Sequence, residues 1–104
     1  MVTGVIIRIE KVSGKFAQDK DIAREIRQTR LIPALKKKQD VALDFSGVED
    51  ATQSFIHALI TEPIRDFGIE VLDKVVFKEC NETVRKIVEI VVDYMQHEDE
   101  KEDT

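Results

Sequence analysis

Tryptophan is absent from this sequence, and cysteine occurs once, as Cys80. A single thiol excludes an internal disulfide and fits a reducing compartment, so the cytoplasm is the expected location. No stretch approaches the ~18 consecutive apolar residues that a membrane span needs. The N-terminal MVTGVIIRIEKV has neither a basic leader nor a small-residue cleavage site, so it does not read as a signal peptide. HxxxH, CxxC and HExxH spacings are also missing, and neither a metal nor a cofactor is expected. The SGK at Ser13 to Lys15 lacks the rest of a phosphate-binding loop. What is present is one domain's worth of chain: 104 residues, 42% hydrophobic and 36% charged.

The formal charge of −5 is unevenly placed. From His97 to Thr104 the chain holds Glu98, Asp99, Glu100, Glu102 and Asp103 against Lys101, leaving residues 1–96 close to neutral. An acidic, apolar-free end cannot bury enough surface to offset its ordering entropy. The expected division is therefore a folded domain over 1–96 and a disordered acidic tail over 97–104. Lys20, Arg24, Arg27, Arg30 and Lys36 to Lys38 make one helix locally basic. Nucleic-acid binding calls for a broader footprint with interleaved aromatics, and is not expected.

Val5 to Val12 is β-branched and partly alternating, which predicts a strand ended by Ser13-Gly14. Asp19 or Asp21 can cap a helix carrying Ile22, Ile26, Leu31 and Leu35, and Pro33 predicts a kink or break near Leu31. Val41 to Phe45 predicts a second strand, with Gly47 allowing a sharp turn. Asp50 and Gln53 have capping-box spacing ahead of a helix with Phe55, Ile56, Leu59 and Ile60 on one face, and Pro63 predicts an interruption near its end. The other face of that helix is expected to carry Gln53, His57 and Thr61. Val75 to Phe77 predicts a third strand. Asn81 then caps a final amphipathic helix bearing Val84, Ile87, Val88, Val91 and Met95. Strand and helix alternate throughout, which predicts an α/β fold with a mostly parallel sheet of three to four strands covered by three main helices.

The stretches FAQDKDIAREIR, LIPAL, VALDFSGVEDATQSFIHALI and KECNETVRKIVEIVVDYM, within Phe16 to Met95, resemble a STAS-like family of unknown function. In outline they are similar to the STAS domains of bacterial anti-sigma-factor antagonists. The resemblance implies a regulatory domain that docks a protein partner, with a histidine-kinase-like ATPase as the candidate. In those antagonists the strand-to-helix junction reads Asp-Ser-Ser-Gly, and its first serine is the phosphoacceptor. The aligned positions here are Thr52, Gln53, Ser54 and Phe55, so glutamine stands where the phosphoacceptor would be.

Ser54 and Thr52 remain candidate phosphoacceptors, because a helix's first turn favours an anion; capping is the plainer role for a hydroxyl there. Asp44 near the end of its strand is read as organising the following loop, and Asp50 as the cap. Cys80 beside Asn81 could have a lowered pKa, but a small buried thiol is the plainer reading. No Ser-His-Asp set is assembled by the sequence. The expectation is a non-catalytic signalling domain that docks through the junction 44–57, with Ser46, Gln53, Ser54, His57 and Thr61 on the partner surface. The alternative is a small nucleotide- or phosphate-binding protein or enzyme using the same sheet edge. Self-association is left open.

Overall fold

The computed structural model describes residues 4–102, with side chains as far as His97. Strands β1 (Gly4–Arg8), β3 (Asp40–Asp44) and β5 (Val75–Lys78) form a parallel sheet in the order β1-β3-β5. Parallel neighbours need a crossover, and each is supplied by helix. Between β1 and β3 lie a helical turn α1 (Ile9–Ser13), helix α2 (Lys20–Ile26) and helix α3 (Ile32–Lys36). Between β3 and β5 lies α4 (Gln53–Phe67), followed by a 3-10 turn at Ile69–Asp73; α5 (Glu82–Glu102) closes the chain. Two short strands, β2 (Phe16–Ala17) and β4 (Asp50–Ala51), pair in parallel as a separate sheet. The fold is thus the α/β class with a three-stranded parallel sheet that the alternation predicts.

Four local features differ from the sequence reading. Ile9–Ser13 is helical, not strand; β1 stops at Arg8, and Gly14 turns the chain at φ 78°. The strand propensity of Ile9 and Val12 is overridden by burial of Ile9 in the core. Around Pro33 the helix does not break. It widens into a π turn at Arg27–Leu31, where Ile32 N–H reaches the Arg27 carbonyl, which accommodates a proline that cannot donate to Thr29. Pro63 does not interrupt α4 either. The helix runs on to Phe67, and Gly68 ends it at φ 87° with its N–H on the Ile64 carbonyl. Finally, α5 is unbroken across the 96/97 boundary where the sequence reading starts a tail. The side chains of 98–102 and all of 103–104 lie outside the described residues.

One sheet face, carrying Ile7, Val41, Leu43 and Val75, is buried beneath the helices with Phe55, Ile56, Leu59 and Val84. Phe45 and Phe77 stack at 6.2 Å between ring centroids. α5 contributes Val84, Val88, Val91 and Met95, the stripe its periodicity predicts. The opposite sheet face is open, with Ile6, Ala42 and Val76 side by side in register. Among the described residues, no helix is long and apolar enough to cross a membrane.

Candidate functional site

The junction after β3 is held by short-range hydrogen bonds. Asp44 Oδ1 accepts the Ser46 N–H at 2.9 Å, and the Val48 N–H closes a turn onto the Phe45 carbonyl at 2.9 Å. Gly47 sits at φ 84°, a conformation that favours glycine, with the Glu10 carboxylate packed over it. Asn81 ties this turn to the start of α5. Its Oδ1 accepts the Val84 N–H at 2.8 Å, the expected cap, while its Nδ2 donates to the Val48 carbonyl at 3.3 Å and the Glu49 carbonyl at 2.9 Å.

The cap of α4 is Thr52, not Asp50. Thr52 Oγ1 accepts the Phe55 N–H at 3.1 Å, and its own N–H is tied to the Ala17 carbonyl. Asp50 lies two residues too early, in β4 opposite Phe16, and its Oδ1 accepts the N–H of the adjacent Ala51 at 2.8 Å. Pairing of β4 with β2 holds the chain extended through Thr52, so the helix starts only at Gln53. Gln53 is therefore the first helical residue and has no capping-box role. Ser54 Oγ lies 3.3 Å from the capping oxygen of Thr52.

The first turns of α4 border a groove of 560 Å³ lined by Lys20, Gln53, Ser54, His57, Ala58, Ile90, Val91 and Tyr94. That volume lies within the range of small-molecule and side-chain pockets. Each wall has a clear origin. Lys20 opens α2; Gln53, Ser54 and His57 stand on α4 away from buried Phe55 and Ile56; Ile90 and Tyr94 stand on α5 beside the core stripe. Ile90 and Tyr94 are 49% and 55% exposed, large apolar groups one helical turn apart. The His57 and Tyr94 rings meet at 6.2 Å. Behind the groove Arg27, in the π turn that follows α2, ties that turn to α4: its Nη1 donates to the Ala58 carbonyl at 2.7 Å, and its Nε lies 2.8 Å from Glu62 Oε2. The Nε–H is poorly aligned on that oxygen, so the second contact is a close ion pair and not a directed hydrogen bond.

The expected site residues divide among three places. Gln53, Ser54 and His57 meet in the groove. Ser46 and Asp44 instead line a smaller depression with Arg8, Glu10 and Lys11 at the C-terminal end of β1 and β3, so Asp44 and Ser54 do not share a cavity. Thr61, expected on the exposed side, is buried at 7%, because it falls on the packed side of α4 with Ile60 and Ile64. Cys80 is half-buried, not fully buried, and donates weakly to the Lys78 carbonyl at 4.0 Å. Burial pushes its thiol above the usual value of 9.0; Arg85 works against that shift and Asp44 adds to it. It is therefore a protonated thiol, not an activated one. Among the described residues, no group of three or more His, Cys, Asp or Glu is arranged to hold a metal.

Lys20, Ala58, Ile90, Val91 and Tyr94 are groove residues that the sequence reading missed as a site. A signal existed in Ile90 and Tyr94, an apolar pair at i, i+4 lying off the α5 core stripe. Nothing local, however, places them against Gln53. Among known protein families, a model described as a STAS-like domain of unknown function (DUF4325) matches residues 23–85. No curated protein and no solved structure matches the chain.

Proposed function

The chain belongs to that STAS-like family, and we propose that it is a non-catalytic signalling domain that works by docking a protein partner at the α4–α5 groove. One observation carries the reading: two large apolar side chains, Ile90 and Tyr94, stand exposed beside the polar first turn of α4. Apolar groups rimmed by polar ones form the usual centre of a docking surface. The site is narrower than the junction 44–57, comprising Gln53, Ser54 and His57 from α4 with Lys20 and the α5 pair. A histidine-kinase-like ATPase is the partner class suggested by the resemblance to anti-sigma-factor antagonists, and the cytoplasm is where the two would meet. Of the two hydroxyls, Ser54 is the one at which a phosphate would recast the surface. The Thr52 oxygen is committed to the helix cap, whereas Ser54 is exposed on the groove's rim.

Photo-crosslinking in the source cells tests this. A benzophenone side chain at position 94 is expected to trap a protein that the same probe at position 76, on the open sheet face, does not trap. Adding Ile90→Asp is expected to abolish the product. The same products from both positions, unaffected by Ile90→Asp, would sink the docking reading. Lys20 and the first turn of α4 favour a second reading, a nucleotide held by its phosphates. A thermal-shift midpoint raised by ATP or GTP, and restored to baseline by Lys20→Glu, would select it.

A further inference from the structure

Resting on the docking reading, we infer that the groove receives a peptide segment pairing a large apolar side chain with a neighbouring carboxylate. The two halves of the site ask for different chemistry. Ala58, Ile90, Val91 and Tyr94 form an apolar floor at the α4–α5 contact. A 560 Å³ space bounded by such groups takes one or two bulky side chains, and it gains most from aromatic or branched ones. The other end is positive. Lys20 faces it from the start of α2, and the first intrahelical bond of α4 runs from Ile56 N–H to the Thr52 carbonyl. The N–H groups of Gln53 and Ser54 thus precede the hydrogen-bond ladder, at the end of a 15-residue helix whose dipole favours negative charge.

Charge complementarity selects the occupant. The chain as a whole carries −5, yet among the described residues no Asp or Glu lines this groove. The carboxylates that adjoin lining residues in sequence lie outside it: Asp19 accepts the Asp21 N–H, Asp21 pairs with Arg24 at 3.6 Å, Asp93 pairs with His97 at 3.5 Å, and Glu89 lines a separate depression on α5. An acidic group is attracted to the Lys20 end and meets no opposing carboxylate in the described lining, so the pattern sets register as well as attraction. A nucleotide fits less well, because among the described residues no glycine lies in the lining to let backbone N–H groups close around its phosphates. A free carboxylate metabolite would leave the Ile90–Tyr94 end unfilled.

The test uses the full chain as bait for a phage-displayed library of random linear peptides. Winners are then synthesised and titrated by fluorescence anisotropy against wild type, Lys20→Glu and Ile90→Asp. Both replaced side chains are exposed, and circular dichroism checks that each variant is folded. Enriched peptides are expected to carry Asp or Glu within about two positions of Phe, Leu, Ile or Trp, the reach of one extended step. Lys20→Glu is expected to weaken them about tenfold, with added salt acting in the same direction. Ile90→Asp is expected to abolish binding. Winners that lack acidic residues, or that bind Lys20→Glu unchanged while needing Ile90, overturn this inference and leave the docking reading standing. Failure to enrich any peptide that Ile90→Asp disrupts overturns both.

Discussion

Replacing Asn81 with alanine removes three hydrogen bonds made by one side chain, and their separate values can be worked out in advance. The cap on the Val84 N–H is worth about 1 kcal/mol, the usual loss when Asn becomes Ala at a helix start. The two bonds from Nδ2 tie α5 to the turn after β3. The Glu49 carbonyl is exposed and water replaces its lost donor. The Val48 carbonyl is half-buried and is less easily rehydrated. Together they contribute roughly 1 kcal/mol net. Asn81→Ala should therefore cost about 2 kcal/mol, a large share of the 5–15 kcal/mol typical of such a domain. Asn81→Ser separates the terms: its hydroxyl can still cap, but it is too short to donate across to both carbonyls. It should cost about 1 kcal/mol. Urea unfolding followed by far-UV circular dichroism measures both, provided that the slope with urea is unchanged. A loss below about 0.5 kcal/mol for alanine, or equal losses for alanine and serine, refutes the assignment of Asn81 as a tie between loop and helix.

Two further predictions concern Arg27, behind the groove, and Cys80, between β5 and α5. Arg27→Ala should cost about 2–3 kcal/mol in the same assay, because its side chain is only 12% exposed and donates a charged bond to the Ala58 carbonyl. Glu62→Gln should cost less than about 1 kcal/mol, since Glu62 is half-exposed; equal losses would place the energy in the ion pair instead. For Cys80, burial raises the pKa above 9.0, so the folded chain keeps its proton where the unfolded chain has released it. In that window the unfolded state binds fewer protons, and stability falls as pH rises. The thiol's contribution is whole below pH 9 and is lost above it. The difference in unfolding free energy between wild type and Cys80→Ser should therefore decrease from pH 8.5 to 10.5, and an increase refutes the assignment.

How much of this was legible in the sequence follows from how local each cause is. Strands β3 and β5 and the stripe of α5 were readable, because burial on one face imprints a period of two or 3.6 on the residues themselves. Ile9–Ser13 was not, since its β-branched residues fit a strand equally well and only packing decides. Nor was the start of α4. Asp50 and Thr52 are both good caps, and the choice is made by β2, more than thirty residues earlier, holding β4 extended. The groove was half legible. Gln53, Ser54 and His57 belong to one stretch, but Lys20 and Tyr94 join them only when α2, α4 and α5 come together. Thr61 failed for a simpler reason: a helix packed on two sides buries more than one stripe, and α4 lies against both α2 and α5.

The open sheet face raises the question of why the groove, and not Ile6, Ala42 and Val76, should be the docking surface. Parallel sheets are normally covered on both faces, and this apolar row is more than half exposed at Ile6 and Val76. Its borders argue against a second copy. One flank reads Arg8, Asp44, Lys78 across the three strands, and the other has Asp40 paired to Lys74 at 3.8 Å. A two-fold axis along the strands stacks Asp44 on Asp44 and Arg8 on Lys78. A two-fold axis across them stacks Asp44 on Asp40 and Lys78 on Lys74. Each aligned sheet-on-sheet pairing thus sets like charges together over a row only three residues wide. Charges spaced this way disfavour those two pairings, as polar residues do at sheet edges. In the groove the order is reversed: the apolar pair lies beside a cation and a helix terminus, and among the described residues no carboxylate lines it, which is the arrangement on which the proposed docking rests.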